Sequence, residues 1–132
     1  MPHVSARRVA TGAVVALALI LAVVAYTSRS ASARVPSMPG ADAGRGARVI
    51  ESFGCGACHT IDGIDGADAH VGPPLEDLAR RRVIAGRLRN TPHNLTLWIS
   101  HPQRVDPGNV MPDLGLTTQQ AADIALYLYR HP

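Results

Sequence analysis

An all-α fold is what this chain predicts, and three observations carry the expectation. No stretch shows a convincing period-two alternation, and no internal repeat is present. Three segments carry apolar residues at helical spacing, each behind a residue suited to capping a helix. Stretches rich in Gly, Pro and Asp separate them.

The first element is apolar throughout. Val9 to Tyr26 is an 18-residue run without a charge. At about 1.5 Å per residue it spans roughly 27 Å, close to the hydrocarbon thickness of a bilayer. Arg7 and Arg8 precede it, so the positive-inside rule keeps the N-terminus in the cytoplasm and sends the rest outward. Two fates are open. Residues 1–27 form an uncleaved signal anchor, or they form a signal peptide cut at Ala31-Ser32-Ala33. The length of the run favours the anchor, a single-pass transmembrane helix. The A-x-A triplet favours cleavage, although Arg29 stands between it and the apolar core. Either fate places the remaining chain on the outer, periplasmic side of the cell membrane. Residues 28–40, rich in Ser, Ala, Pro and Gly, read as a flexible linker to a domain over 41–132.

Within that domain Asp42 caps a helix carrying Gly46, Val49, Ile50 and Phe53 on one face. Gly46 there allows a second helix to approach closely, and Gly54 ends the element. Thr60 to Pro74 reads as loop. Leu75, Leu78 and Ala79 suggest a short helix ending in Arg80, Arg81 and Arg82. Thr91-Pro92 opens a helix with a capping threonine and proline at its first position. Leu95, Trp98 and Ile99 form its apolar face, and Pro102 stops it. Val105 to Gly115 is loop. Thr117 to Gln120 is a capping-box pattern opening a last helix. Its core stripe is Ala121, Ile124, Ala125 and Leu128, with Tyr127 beside it.

The chemistry lies in Cys55-Gly56-Ala57-Cys58-His59, which reads as an attachment site for c-type haem. Two thiols at this spacing form thioethers with the two haem vinyl groups, and the adjacent imidazole becomes the proximal iron ligand. Three other readings compete. A thioredoxin-like redox pair expects an alternating strand–helix pattern, which is absent. Half a zinc site needs a second cysteine cluster, and the chain has only 2 cysteines. A structural disulfide or a chance match is the third.

A sixth ligand is sought among three methionines. Met1 is at the cytoplasmic end and Met38 is in the linker. Met111 sits in Pro107-Gly108-Asn109-Val110-Met111-Pro112, a restricted loop suited to holding a thioether over iron. Ligation by His and Met raises the reduction potential. A lone Met is otherwise core filler. His70 is the main rival ligand, with His93 and His101 behind it, and a solvated histidine is the plainer reading of each.

Composition agrees with a buried prosthetic group. The domain has only Phe53, Trp98, Tyr127 and Tyr129 as aromatics, little for a core of its size. The formal charge of +3 is divided unevenly. Four arginines flank the N-terminal run. From Gly40 onward nine arginines face ten acidic residues, a net of −1. That balance excludes a nucleic-acid-binding domain. The dense basic patch is Arg80, Arg81, Arg82, Arg87 and Arg89.

Together these residues resemble a class I cytochrome c. The resemblance runs from Gly46 to Leu128. It rests on the Cys-x-x-Cys-His segment, Gly72-Pro73-Pro74-Leu75, the helix of Leu95, Trp98 and Ile99, Pro107-Gly108 with Met111-Pro112, and Tyr127-Leu128. The likeness is strongest to the cytochrome domain fused to subunit II of some haem–copper oxidases, in the stretch with Arg82, Gly86, Asn90, Leu95, Trp98, Pro102 and Met111. This chain lacks the copper-binding oxidase domain.

The resemblance implies about three to five short helices around one covalent haem c. It implies iron ligation by His59 and Met111, with the Pro73 carbonyl accepting from His59 Nδ1. Arg82 and Trp98 would hydrogen-bond a propionate, although Arg82 also reads as a surface charge and Trp98 as plain core. Gly46 would pack against Tyr127. The implied function is a membrane-tethered electron carrier in a respiratory chain, not an enzyme, with neither a nucleic acid nor a small-molecule substrate. Its redox partners would be a quinol–cytochrome c reductase and a terminal oxidase. The alternatives are a permanent cytochrome subunit of a terminal oxidase or nitric oxide reductase, and a gas-binding or peroxidase-like haem protein. The lysine ring that many such cytochromes use for docking is missing, since the chain has no lysine.

Overall fold

The computed structural model describes residues 14–25 and 35–131. The chain divides into two compact units, Met1–Ala33 and Arg34–Pro132. In the first, residues 14–25 are helical (α1) with exposed side chains. Among the described residues no helix is long and apolar enough to cross a membrane. The expected span Val9–Tyr26 runs past both ends of α1, and those ends lie outside the described residues, as does 28–34 of the linker.

The second unit is mostly helical. Its order is α2 (Ala43–Ser52), β1 (Val83–Ile84), β2 (Leu88–Arg89), α3 (Pro92–Ser100), α4 (Pro102–Val105) and α5 (Thr118–Arg130). Two 3₁₀ turns, Cys55–Ala57 and Leu78–Arg80, precede the hairpin. The caps follow the sequence. Asp42 accepts from Arg45 N at 2.7 Å, and Thr91 accepts from Asn94 N at 3.2 Å with Pro92 at the first turn of α3. At α5 Thr117 and Gln120 exchange both capping-box bonds.

Helix α5 is the centre of the core and packs chiefly against α2 and α3. Two flanking helices bury more than one stripe, so Leu126 and Tyr129 are covered along with Ala121, Ile124, Ala125 and Leu128. At the α2–α5 crossing a Cβ on Gly46 would overlap the Asp123 carbonyl oxygen, with the Asp123 carbonyl carbon 2.6 Å away. The atoms nearest Gly46 are thus α5 backbone one turn before Tyr127. Asp123 itself is buried and reaches back to the start of α2. It pairs with Arg45 Nε at 2.8 Å and accepts from Asp42 N at 2.7 Å. Burial pushes the Asp123 carboxyl up, but hydrogen bonds from Arg45, Asp42 N–H and Gln119 outweigh this and leave it below its ordinary value.

Three further features differ from expectation. The end of the linker segment is docked: Met38 packs on the core, and the Gly40 carbonyl accepts from Arg45 Nη2 at 2.9 Å. The helix expected before Arg82 is only the 3₁₀ turn Leu78–Arg80. An antiparallel hairpin follows it, pairing Val83 with Arg89 and Ile84 with Leu88. Two-residue strands carry no readable period, and the left-handed Ala85 and Gly86 make the turn between them. Pro102 ends α3 and also starts α4, a short helix that no pattern in the sequence announces.

Candidate functional site

The cysteine segment begins where α2 stops. Gly54 adopts a left-handed conformation with φ 70° and turns the chain into the 3₁₀ turn Cys55–Ala57. Cys58 N and His59 N both donate to the Cys55 carbonyl, at 3.2 and 3.1 Å. This one turn holds both thiols and the imidazole. Both cysteines are free thiols, Cys58 exposed and Cys55 half-buried. Burial pushes the Cys55 thiol up, and the nearby Cys58 adds to that against an opposing backbone hydrogen bond. A nucleophilic dithiol requires the opposite shift. Among the described residues no group of three His, Cys, Asp or Glu is placed to hold a metal, so the zinc alternative has no ligand set there.

His59 is fixed from behind. Its Nδ1 lies 2.7 Å from the Pro73 carbonyl oxygen, so this nitrogen carries the proton and donates. Gly72 packs on the ring: a Cβ there would overlap Cε1 and lie 2.7 Å from Nδ1. Gly72 N in turn donates to the Cys58 carbonyl at 2.7 Å, which fastens the supporting loop to the cysteine turn. Nε2 makes no hydrogen bond among the described residues, which leaves it available to ligate a metal.

Arg81 braces this support. Its Nη2 donates to the carbonyls of Pro74 at 2.6 Å and Glu76 at 2.9 Å. In the sequence Arg81 reads as the end of a short helix and as part of a basic patch, with nothing to mark this bracing role. That patch is divided in the structure. Arg80 pairs with Asp77 at 3.3 Å and Arg87 with Asp106 at 2.9 Å. The side chains of Arg82 and Arg89 make no hydrogen bond or ion pair among the described residues.

Arg82 is exposed, and its carbonyl accepts from Asn90 N at 2.9 Å. Asn90 also donates to the carbonyls of Leu78 at 2.7 Å and Arg81 at 2.9 Å, and accepts from Tyr129 Oη at 2.6 Å. This amide therefore ties the arginine segment to α5. Trp98 is half-buried on α3 and packs against the core, while its indole N–H makes no hydrogen bond among the described residues. Arg82 and Trp98 thus both present donors without an acceptor among the described residues.

Met111 is half-buried. Its backbone N donates to Asn109 Oδ1 at 2.8 Å, and its carbonyl accepts from Gln103 Nε2 at 2.7 Å. Neither Gln103 nor Asn109 was singled out for a role in the sequence. Amide-to-backbone bonds leave no periodic signal, although the run of Pro and Gly around Met111 marked the loop as restricted. The rival histidines are placed differently. His70, His93 and His101 are exposed, and His70 contacts Thr60 Oγ1 at 3.4 Å.

The residues present fit a covalently bound haem. Two unbridged thiols and a free imidazole nitrogen share one turn. Val71, Val83 and Val110 are 73%, 51% and 89% exposed in the segments beside Pro73, Arg82 and Met111. That is apolar surface which a flat macrocycle would cover.

Comparison with known proteins agrees. The family model described as Cytochrome c matches residues 43–131. The chain is 41% identical over 70 residues to cytochrome c oxidase subunit 2 of Alkalihalophilus pseudofirmus, covering 53% of this chain and 20% of that protein. It is 30% identical over 108 residues to cytochrome c oxidase subunit 2 of Bacillus sp. (strain PS3), covering 79% of this chain and 30% of that one. The chain thus spans less than a third of the length of these curated relatives. The match over 43–131 takes in the cysteine turn, the Pro73 support and the Met111 loop, and the chain belongs to the cytochrome c family.

Proposed function

We propose that this protein is a membrane-tethered monohaem cytochrome that carries electrons in a respiratory chain, from a quinol-oxidising cytochrome complex to a terminal oxidase, and that it is not an enzyme. The observation that carries the reading is the His59 ring, fixed through Nδ1 at 2.7 Å from the Pro73 carbonyl, one residue beyond the cysteine pair. Cys55 and Cys58 would hold one haem c by thioethers, and His59 and Met111 would ligate its iron. The bound haem supplies a one-electron ferric/ferrous couple. Pro73, by accepting from Nδ1, raises the basicity of His59 and favours the ferric state. Arg82 and Trp98 would donate to a propionate and offset its negative charge.

The respiratory setting rests on the likeness to oxidase subunits. The membrane setting rests on Val9 to Tyr26 behind Arg7 and Arg8, which puts the haem domain on the periplasmic side as a single-pass protein. Tethering raises the effective concentration of the domain near partners in the same membrane and takes the place of a cationic docking field. Electron flow from quinol to oxygen, measured in membranes with and without this protein, tests the proposal. It predicts a rate that depends on the protein and falls little with salt. A rate indifferent to the protein contradicts it.

The similarity to subunit 2 also supports a second reading, a permanent cytochrome subunit of an oxidase. Purification through mild detergent separates the two: a carrier leaves the oxidase, and a subunit stays with it.

A further inference from the structure

The loop carrying Met111 is closed by two side-chain amides whose hydrogen-bonding groups are nearly all engaged on backbone. Gln103, in α4, accepts from Gly108 N through Oε1 at 3.1 Å. Its Nε2 donates to the carbonyls of Asn109 and Met111, each at 2.7 Å. Asn109 donates through Nδ2 to the carbonyls of Pro102 at 3.1 Å and Asp106 at 2.7 Å, and accepts from Met111 N through Oδ1. Beyond Met111, Asp113 Oδ1 accepts from Gln103 N at 3.3 Å. The loop has no regular backbone ladder of its own, so these bonds decide where the Met111 backbone lies. Residues on both sides of the methionine are fastened to one residue of α4.

We propose that Gln103 and Asn109 form a clamp that keeps the Met111 thioether on the iron, acting as positioning residues for the sixth ligand. This rests on the reading of Met111 as that ligand. A thioether is a weak ligand for ferric iron, and a loop free to move would release it to competing small molecules. The clamp opposes release by making the loop rigid before the bond to iron forms. It acts through backbone positions alone, so its loss leaves the sulfur and its surroundings chemically unchanged.

The test uses the haem-loaded full-length protein and imidazole as the competing ligand of the ferric form. Three variants are compared: Gln103→Ala, Gln103→Glu and Met111→Ala. Gln103→Glu keeps the acceptor for Gly108 N but sets a carboxylate against two carbonyl oxygens, and serves if the alanine variant folds poorly. Both Gln103 variants are expected to bind imidazole about ten- to thirtyfold more tightly than the parent, the equivalent of losing one or two net hydrogen bonds from the closed loop. Their far-red sulfur-to-iron charge-transfer band weakens, while far-UV circular dichroism keeps the helical signal. Met111→Ala abolishes the band. If Met111→Ala removes the band but both Gln103 variants bind imidazole like the parent, the clamp is wrong and the ligand stands. If Met111→Ala leaves the band in place, the ligand reading fails and the clamp with it.

Discussion

The imidazole of His59 and the carbonyl of Pro73 lie 2.7 Å apart, across a loop that Gly72 brings flat against the ring. The bond uses the backbone of residue 73, not its side chain, whereas the close packing depends on residue 72 having no side chain. The two positions therefore answer differently to substitution. Pro73→Ala retains the acceptor and is expected to shift the reduction potential little. Gly72→Ala forces the ring or the loop to move, at about 1–3 kcal/mol. It weakens the Nδ1 hydrogen bond, makes His59 a poorer donor to iron and raises the potential. Potentiometric titration of the two variants checks this, and equal shifts would contradict it.

The α2–α5 crossing makes a second demand on a missing side chain. Gly46→Ala places a methyl group against the Asp123 carbonyl, which the helix backbone holds in place. Urea unfolding should show a loss of about 1–3 kcal/mol, because neither helix can give way without uncovering core.

Asp123 gives this crossing a pH dependence. Its carboxyl is held below its ordinary value in the folded protein, so its contribution to stability is complete above the unfolded carboxylate pKa of about 4. It is lost as pH falls further, through the folded pKa. Asp123→Ala leaves the Asp42 N–H and the Arg45 guanidinium without this acceptor, and should cost about 2–3 kcal/mol near neutral pH. The variant's unfolding midpoint should converge toward that of the parent in acid; a constant difference would argue against the pairing.

Tyr129 works at the opposite end of the scale. Burial pushes its phenol up to about 12 in the folded protein. The folded state thus holds this proton more tightly than the unfolded chain, whose tyrosines titrate at about 10. Its contribution is full below that value and is lost as pH rises through about 12. Tyr129→Phe removes the donor to Asn90 and leaves that amide oxygen short of a partner, at about 1–2 kcal/mol near neutral pH. The alkaline loss of stability should also be smaller in the variant, with Tyr127, raised by burial in the same sense, accounting for part of the remainder.

What could be read from the sequence was what is local. Asp42, Thr91 and Thr117 marked helix starts because a cap acts within one turn of its own residue. Cys55, Cys58 and His59 are contiguous, so their joint chemistry needs no fold to be seen. Pro73 was reachable only through family likeness, because any residue supplies a carbonyl. Arg81, Gln103 and Asn109 were missed as supports because each acts on backbone of other segments, and no spacing rule marks such bonds. The same holds for the five-arginine patch, a continuous charge in the sequence that Asp77 and Asp106 divide in the structure. The hairpin at Val83–Ile84 and Leu88–Arg89 is too short for alternation to register. The full Val9–Tyr26 span lies partly outside the described residues, so the tether is argued from sequence alone.

The proposed electron carrier depends on His59 and Met111 together closing the iron of a covalently attached haem. Absorption of the ferric, haem-loaded protein, scanned into the far red, tests it most directly. A low-spin spectrum is expected, with a weak sulfur-to-iron charge-transfer band that disappears in Met111→Ala. A high-spin spectrum without that band, shifting when small ligands are added, would contradict it and point to gas binding or peroxide chemistry.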